Sequence, residues 1–218
     1  MLNIAIDGPS GAGKSTIAKE IAKRLNIIYL DTGAMYRAIG LKAVRLGIDT
    51  EDVQGVTGIL DSTQIEIKYE DGVQIIYLDG EDVSTAIREH HISKAASNVS
   101  KIPAVRLKLV AMQREIAAKN NVVLDGRDIT SYVLKDANNK FYLTATPEER
   151  AKRRYKELVE KGQNVDYETI LADINDRDYN DTHRDFAPLT RTEDSVFIDS
   201  TELTIEQAIE KILSYIKL

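Results

Sequence analysis

Short apolar runs recur along the chain near residues 3, 28, 123, 142 and 197, and helical spacing follows each of them. The run at 2–6 gives way to Ile17, Ala18, Ile21, Ala22 and Leu25, spaced as one face of a helix. The run at 27–30 leads into a helix that Asp31 or Thr32 can cap and that extends to about Leu46. Residues 121–124 and 140–144 read as further strands. Thr146-Pro147-Glu148-Glu149 supplies a cap, a proline in the first turn and acids at the positive dipole end of the next helix. Asp166 starts another helix, and 196–199 is a last strand. Thr204 and Gln207 form a capping-box pattern for a closing helix that turns Ile205, Ala208, Ile209, Ile212 and Ile216 inward. Strand and helix in alternation predict an α/β fold: a five-stranded parallel sheet flanked by helices, with ligands beyond the strands' carboxyl ends.

One stretch breaks the alternation. From 63 to 79, Ile65, Ile67 and Tyr69 alternate with Glu66, Lys68 and Glu70, and after Asp71-Gly72 the pattern resumes at Val73. This predicts an antiparallel hairpin inserted over about 61–84, with the main core formed by 1–60 and 85–218. A helix is expected over 87–99, and Pro103 opens another with Val105, Leu109, Met112 and Ile116 inward. Ser97 and Arg106 flank the join between them, and Asn120-Asn121 is expected to stop the second.

Composition narrows the function classes. The absence of cysteine removes disulfides and thiolate metal sites and fits a cytoplasmic setting. No apolar run reaches membrane-spanning length, and the chain runs straight into its first strand, leaving no room for a signal peptide. A net charge of −6 argues against general nucleic-acid binding. The basic cluster Arg150, Lys152, Arg153 and Arg154 therefore needs its own explanation. His90, His91 and His183 read as surface or capping residues rather than a metal trio.

That explanation starts at Gly8-Pro9-Ser10-Gly11-Ala12-Gly13-Lys14-Ser15-Thr16, which fits the phosphate-loop template between a strand and a helix. Glycines let backbone N–H groups turn toward phosphate oxygens, and the helix adds its own unpaired N–H groups. In such a loop Lys14 reaches the β- and γ-phosphates and the Ser15 hydroxyl ligates Mg²⁺. Arg37, Arg106, Arg127, Arg177 and Arg184 follow or flank expected ligand edges, and Arg150, Arg153 and Arg154 share a helix. Arginine forks bind phosphate oxygens in pairs, so this many suggests two phosphorylated ligands. A kinase for an uncharged acceptor fits those arginines less well. A GTP-dependent switch lacks its base-reading motif, because Asn139-Lys140-Phe141-Tyr142 has no aspartate.

Motifs along almost the whole chain resemble the bacterial cytidylate kinase family, which transfers a phosphoryl group from ATP to CMP or dCMP. They are 6–14, Leu30-Asp31-Thr32-Gly33-Ala34-Met35-Tyr36-Arg37, Leu78-Asp79-Gly80-Glu81-Asp82-Val83-Ser84, Asp125-Gly126-Arg127-Asp128, 149–154 and Ala187-Pro188-Leu189. The resemblance implies a P-loop NTPase core, a β-insert in the monophosphate region, a helical lid at about 154–166, and a monomer with no nucleic-acid or membrane partner. It also implies a CMP site of Thr32, Tyr36, Arg37, Ser97, Arg106, Arg127, Asp128, Arg177, Asp181 and Arg184. Among these, Arg37, Arg127 and Arg184 take phosphate, Ser97, Arg106 and Asp128 read the base, and Asp181 contacts the sugar. Lys14, Arg127, Arg154, Arg177 and Arg184 would act on the transferring group, with Arg150 and Arg153 over ATP. Asp125 would join Ser15 around Mg²⁺, through water. One departure stands out: where the family pattern continues after Ile129 with Gly-Thr, this chain has Thr130-Ser131, expected to restrict and crowd the loop.

Overall fold

The computed structural model describes residues 1–70, 72–160 and 162–217. In chain order the elements are β1 (Asn3–Asp7), α1 (Lys14–Leu25), β2 (Ile28–Asp31), α2 (Thr32–Arg45) and α3 (Val53–Gly58). Next come β3 (Ile65–Glu70), β4 (Val73–Leu78), β5 (Glu81–Asp82), α4 (His90–Val99) and α5 (Pro103–Lys119). The chain closes with β6 (Val122–Gly126), β7 (Asn139–Thr144), α6 (Pro147–Glu160), α7 (Tyr167–His183), β8 (Val196–Asp199) and α8 (Ile205–Leu213).

The large sheet has five strands in the order β2-β6-β1-β7-β8. Strand β1 pairs in parallel with β6 and β7, and β7 with β8. These strands are apolar because helices cover both faces: Ile4, Ala5, Ile6, Val122, Val123, Leu124, Leu143 and Ile198 are all at 0% exposure. The register sets Asp7 beside Gly126, so β1 and β6 release their loops at one edge. The second sheet, β3-β4-β5, is antiparallel. It contains the expected hairpin and a short third strand that the sequence pattern does not announce. Asp71 of the hairpin turn lies outside the described residues.

The chain divides into two compact units, residues 1–27 with 121–218, and residues 28–120. In the first, the closing helix carries the expected capping box at Thr204 and Gln207, and Arg24 of α1 pairs with Glu206 and Glu210 at 2.7 and 2.5 Å. Helices α6 and α7 bury a small cluster of their own, Ala151, Leu158, Ile170 and Ile174. In the second unit, α2 meets α4 at Gly40, where an added Cβ would sit 3.0 Å from Ala95 Cβ and from Ala96 N, so a side chain there would have to push the two helices apart by a few tenths of an ångström.

The helix expected over 87–99 is broken. A single turn at Ala86–Arg88 ends at Glu89, whose backbone is extended (φ −62°, ψ 145°), and α4 begins after it. Ile87 and Ile92 are both buried in one cluster, and five positions is the wrong spacing for one face of a continuous helix, so the break lets both turn inward. Helix α3 was not foreseen; Asp52 caps it by accepting from Gln54 N–H at 3.0 Å. Asn120 stops α5 through its side chain, which donates to Ile116 O at 2.9 Å, rather than by a left-handed backbone.

Candidate active site

The loop between β1 and α1 takes its shape from its glycines. Gly8 (φ 152°) lies so close to β7 that a Cβ there would be 1.9 Å from Leu143 O. Gly13 adopts the left-handed conformation (φ 88°) immediately before the helix. Ser15 and Thr16 are exposed on the first turn of α1, while Lys14 is buried and folds its Nζ back onto Pro9 O at 2.7 Å. Burial, and secondarily the nearby Arg127, push the Lys14 ammonium well below its usual pKa, against the pull of Asp125, Asp181 and Asp7. A cation held this way is stabilised by any anion that joins it.

The loop after β6 supplies the matching charges. Arg127 donates through Nε to Asp181 on α7 at 2.6 Å. Burial opposes its charge, but Asp181, Asp125 and Asp178 outweigh that and raise its pKa. Asp181 itself sits against burial that would raise it, yet Arg127, Arg177 and Arg184 hold its carboxyl below the usual range. Arg184 reaches Asp128 at 3.4 Å and Asp181 at 4.0 Å, and also donates to Ala187 O. Arg177, Asp181 and Arg184 are spaced four and three apart, which turns them to one side of α7 and its end. Arg127 therefore pairs with Asp181, and Asp128 with Arg184.

Helix α6 brings the next arginines. Arg150 is 2% exposed and spans Asp178 of α7 (2.5 Å), Ala145 O and Ser10 O of the phosphate loop (2.9 Å each). Arg153 pairs with Glu149 at 3.1 Å and donates to Ser200 O at 2.7 Å, and Arg154 meets Glu157 at 2.9 Å. Arg150 thus supports the loop in this structure, Arg153 reaches across to Ser200, and Arg154 pairs along its own helix.

In the second unit, Asp31 caps α2 by accepting from Ala34 N–H at 2.9 Å. The same carboxylate takes Arg37 and Arg88, each at 3.0 Å. Burial would raise its pKa, but these two guanidinium groups bring it below the usual value. Arg37 Nε is buried and has no hydrogen-bond partner among the described residues, a donor set for an acceptor. Gln74 of β4 brackets the Asp31 backbone, accepting from its N–H at 2.7 Å and donating to its carbonyl at 3.4 Å. Arg106 is 1% exposed, stands 5.6 Å from the Tyr36 ring centroid and donates to Ser100 O at 3.2 Å. Thr32 is buried and Ser97 half-buried in the same unit.

Phosphate-loop, Arg127, Asp128, Asp181 and Arg184 positions are brought together in the first unit; Thr32, Tyr36, Arg37, Ser97 and Arg106 belong to the second. Sequence reasoning missed Asp7, Gln74, Arg88 and Asp178. An acid ending an otherwise apolar strand was a signal for Asp7. The others had none, because their partners are distant in sequence.

The family model for cytidylate kinase matches residues 4–218. A cytidylate kinase from Caldicellulosiruptor saccharolyticus is 55% identical over 212 residues, covering 97% of this chain and 94% of that one. One from Clostridioides difficile is 51% identical over 217 residues, covering 100% and 99%. Among solved structures, an uncharacterized protein from Eubacterium ventriosum aligns with a TM-score of 0.54 at 16% identity, over 99% of this chain and 98% of that one. A shikimate kinase from Bacteroides thetaiotaomicron aligns at 0.50 and 15%, over 100% and 99%; both share the fold. On this match along nearly its whole length, the chain belongs to the cytidylate kinase family.

Proposed function

We propose that this chain transfers the γ-phosphoryl group of MgATP to CMP or dCMP, giving ADP and CDP or dCDP. The observation that carries this is the buried Lys14 folded into its glycine loop, with Arg127 and Arg184 gathered on Asp181 in the same unit. Phosphoryl transfer asks little covalent help of a protein and depends on cations placed around the moving group. The loop amides and Lys14 would hold the donor phosphates, and Arg37, Arg127 and Arg184 the acceptor phosphate. Arg154 and Arg177 would steady the group in transit, with Arg150 and Arg153 on the ATP side.

The donor set suits Mg²⁺ brought in with ATP. An exposed hydroxyl at Ser15, with Asp125 acting through water, would leave the other positions to water and phosphate oxygens, the way Mg²⁺ is commonly held. Held there, the ion would supply positive charge to offset that of the phosphates.

Base choice follows from hydrogen-bond polarity. An ionised Asp128 can only accept, which suits the exocyclic amino group of cytosine and repels the carbonyl of uracil, and donor-only Arg106 suits the unprotonated ring nitrogen of cytosine. A mismatched buried polar group costs about 1–3 kcal/mol, so CMP should exceed UMP by roughly tenfold or more in kcat/KM. The test is ADP formation from MgATP with CMP, dCMP, UMP or no acceptor. CMP and dCMP should support turnover, UMP weakly, and Asp128→Asn should narrow the CMP-to-UMP ratio. ADP formation that is independent of CMP would sink this reading.

A further inference from the structure

Asp7 ends β1, immediately before Gly8, and its side chain is fully buried. Its carboxylate collects three hydrogen bonds from the loop after β6. Ile129 N–H donates to Oδ1 at 2.8 Å, Thr130 N–H to Oδ2 at 2.7 Å, and the Thr130 hydroxyl to the same Oδ2 at 2.6 Å. These donors open a π-helical turn, Ile129–Val133, directly behind Arg127 and Asp128. A buried carboxylate is retained only where strong donors meet it, so this contact is a firm tie between two loops. It joins the strand that feeds the phosphate loop to the corner that carries Arg127 and Asp128. Thr130 is itself 1% exposed and stands where the family pattern has glycine. Glycine would supply the N–H but not the hydroxyl, so the crowding expected of this threonine is spent on a third bond to Asp7.

We infer that Asp7 and Thr130 form a clamp that fixes the Arg127–Asp128 corner against the phosphate loop, making both positioning residues for the acceptor side of the reaction. The inference rests on the CMP-kinase reading only for which substrate feels the clamp. With the clamp loosened, the phosphate loop keeps its own glycine geometry and Lys14, so the donor side should change little. The acceptor side should suffer, because Arg127 and Asp128 directly precede the released turn.

The test compares Thr130→Val, which removes the hydroxyl at similar shape, with Thr130→Ser, which keeps it; Thr130→Ala serves if the valine variant does not fold. Two readouts are taken on the full chain: amide hydrogen exchange by NMR, and steady-state rates with CMP and MgATP. In Thr130→Val, exchange at the Ile129 and Thr130 amides should quicken about tenfold while β7 amides hold their rates. The kcat/KM for CMP should fall about tenfold with KM for MgATP within about twofold, and Thr130→Ser should stay within about twofold of the wild type throughout. Unchanged exchange overturns the clamp, whatever the rates do. Faster exchange with CMP parameters unmoved, or with both substrates equally impaired, overturns the positioning role. A wild type that makes no CDP sinks the kinase reading instead, and the exchange data still decide the clamp.

Discussion

At the scale of single residues, the site is built from buried charges whose cost is offset by specific partners. Asp7 gives a sign that can be worked out. Its burial, partly countered by the Thr130 hydroxyl, raises the carboxyl from 3.8 to about 6. The folded state then binds more protons than the unfolded chain between about pH 4 and 6, so this residue's contribution to stability falls as pH rises through that window and is level above it. Asp7→Asn cannot titrate. The stability of wild type minus that of Asp7→Asn should therefore grow by about 2 kcal/mol on going from pH 7.5 to 4.5. Paired denaturant titrations at the two pH values measure it; a constant difference would mean that Asp7 does not titrate in that range. The sequence exposed the residues whose chemistry is local: Lys14 and Ser15 sit in a contiguous motif, and Asp31 caps its own helix. It did not expose pairings made by the fold. Thr130 looked only like a strained replacement for glycine because its acceptor lies 123 positions away. Arg88 and Gln74 likewise gained meaning only when Asp31 was found between them.

At the scale of elements, the periodic signals carried well and the exceptions have geometric causes. The central strands were readable because burial on both faces makes them continuously apolar, and α8 because its capping box forms and Ala208, Ile209 and Ile212 turn inward, although Ile205, expected inward with them, is exposed at the first helical position. The break at Glu89 was not readable, since the residues on either side each suit a helix and only their joint burial forbids a continuous one. Glycines show the same division between local and imposed constraints. Gly8 is required by contact: an added Cβ would overlap Leu143 O at 1.9 Å and hold an unfavourable φ of 152°. Gly8→Ala should cost about 2 kcal/mol or more and weaken binding of an ATP analogue. Gly58, the last residue of α3, meets nothing within 4 Å and has no positive φ, so Gly58→Ala should leave stability unchanged or raise it by up to about 1 kcal/mol. Thermal unfolding of the two variants side by side checks the contrast. A Gly8→Ala protein as stable as Gly58→Ala would show that β7 can yield.

At the scale of the whole molecule, the segment expected as a lid belongs to the first unit. Its arms are the second half of α6 and the start of α7, and Lys161 lies outside the described residues. The arms share their own buried cluster, with Val165, Tyr167 and Leu171 packed against it, and Tyr155 meets Tyr167 edge-on at 6.3 Å between ring centroids. The base of this hairpin is tied to the unit by Arg150 and Arg153, at Ser10 O and Ser200 O, while its outer half packs arm against arm and can move as one piece. The connection itself is open: Gly162, Gln163, Asn164 and Asp166 are all exposed, and Gly162 takes a left-handed φ of 74°. Exposed loop tips with small and polar residues are preferred cutting sites. Closure over ATP would also keep water from the γ-phosphate, so it should be complete only when the acceptor is present too. We predict that protease cuts the free protein between residues 160 and 166, and that CMP with a non-hydrolysable ATP analogue slows the cut at least about fivefold. Either ligand alone should protect less. Fragment masses over a time course identify the site and give the rate, with a cut elsewhere in the chain as the internal reference. Because ligand binding also stabilises the folded state globally by mass action, protection of the reference cut to the same degree would assign the effect to stability rather than to closure. Protection confined to 160–166 assigns it to the hairpin, and equal cutting with and without both ligands removes the lid.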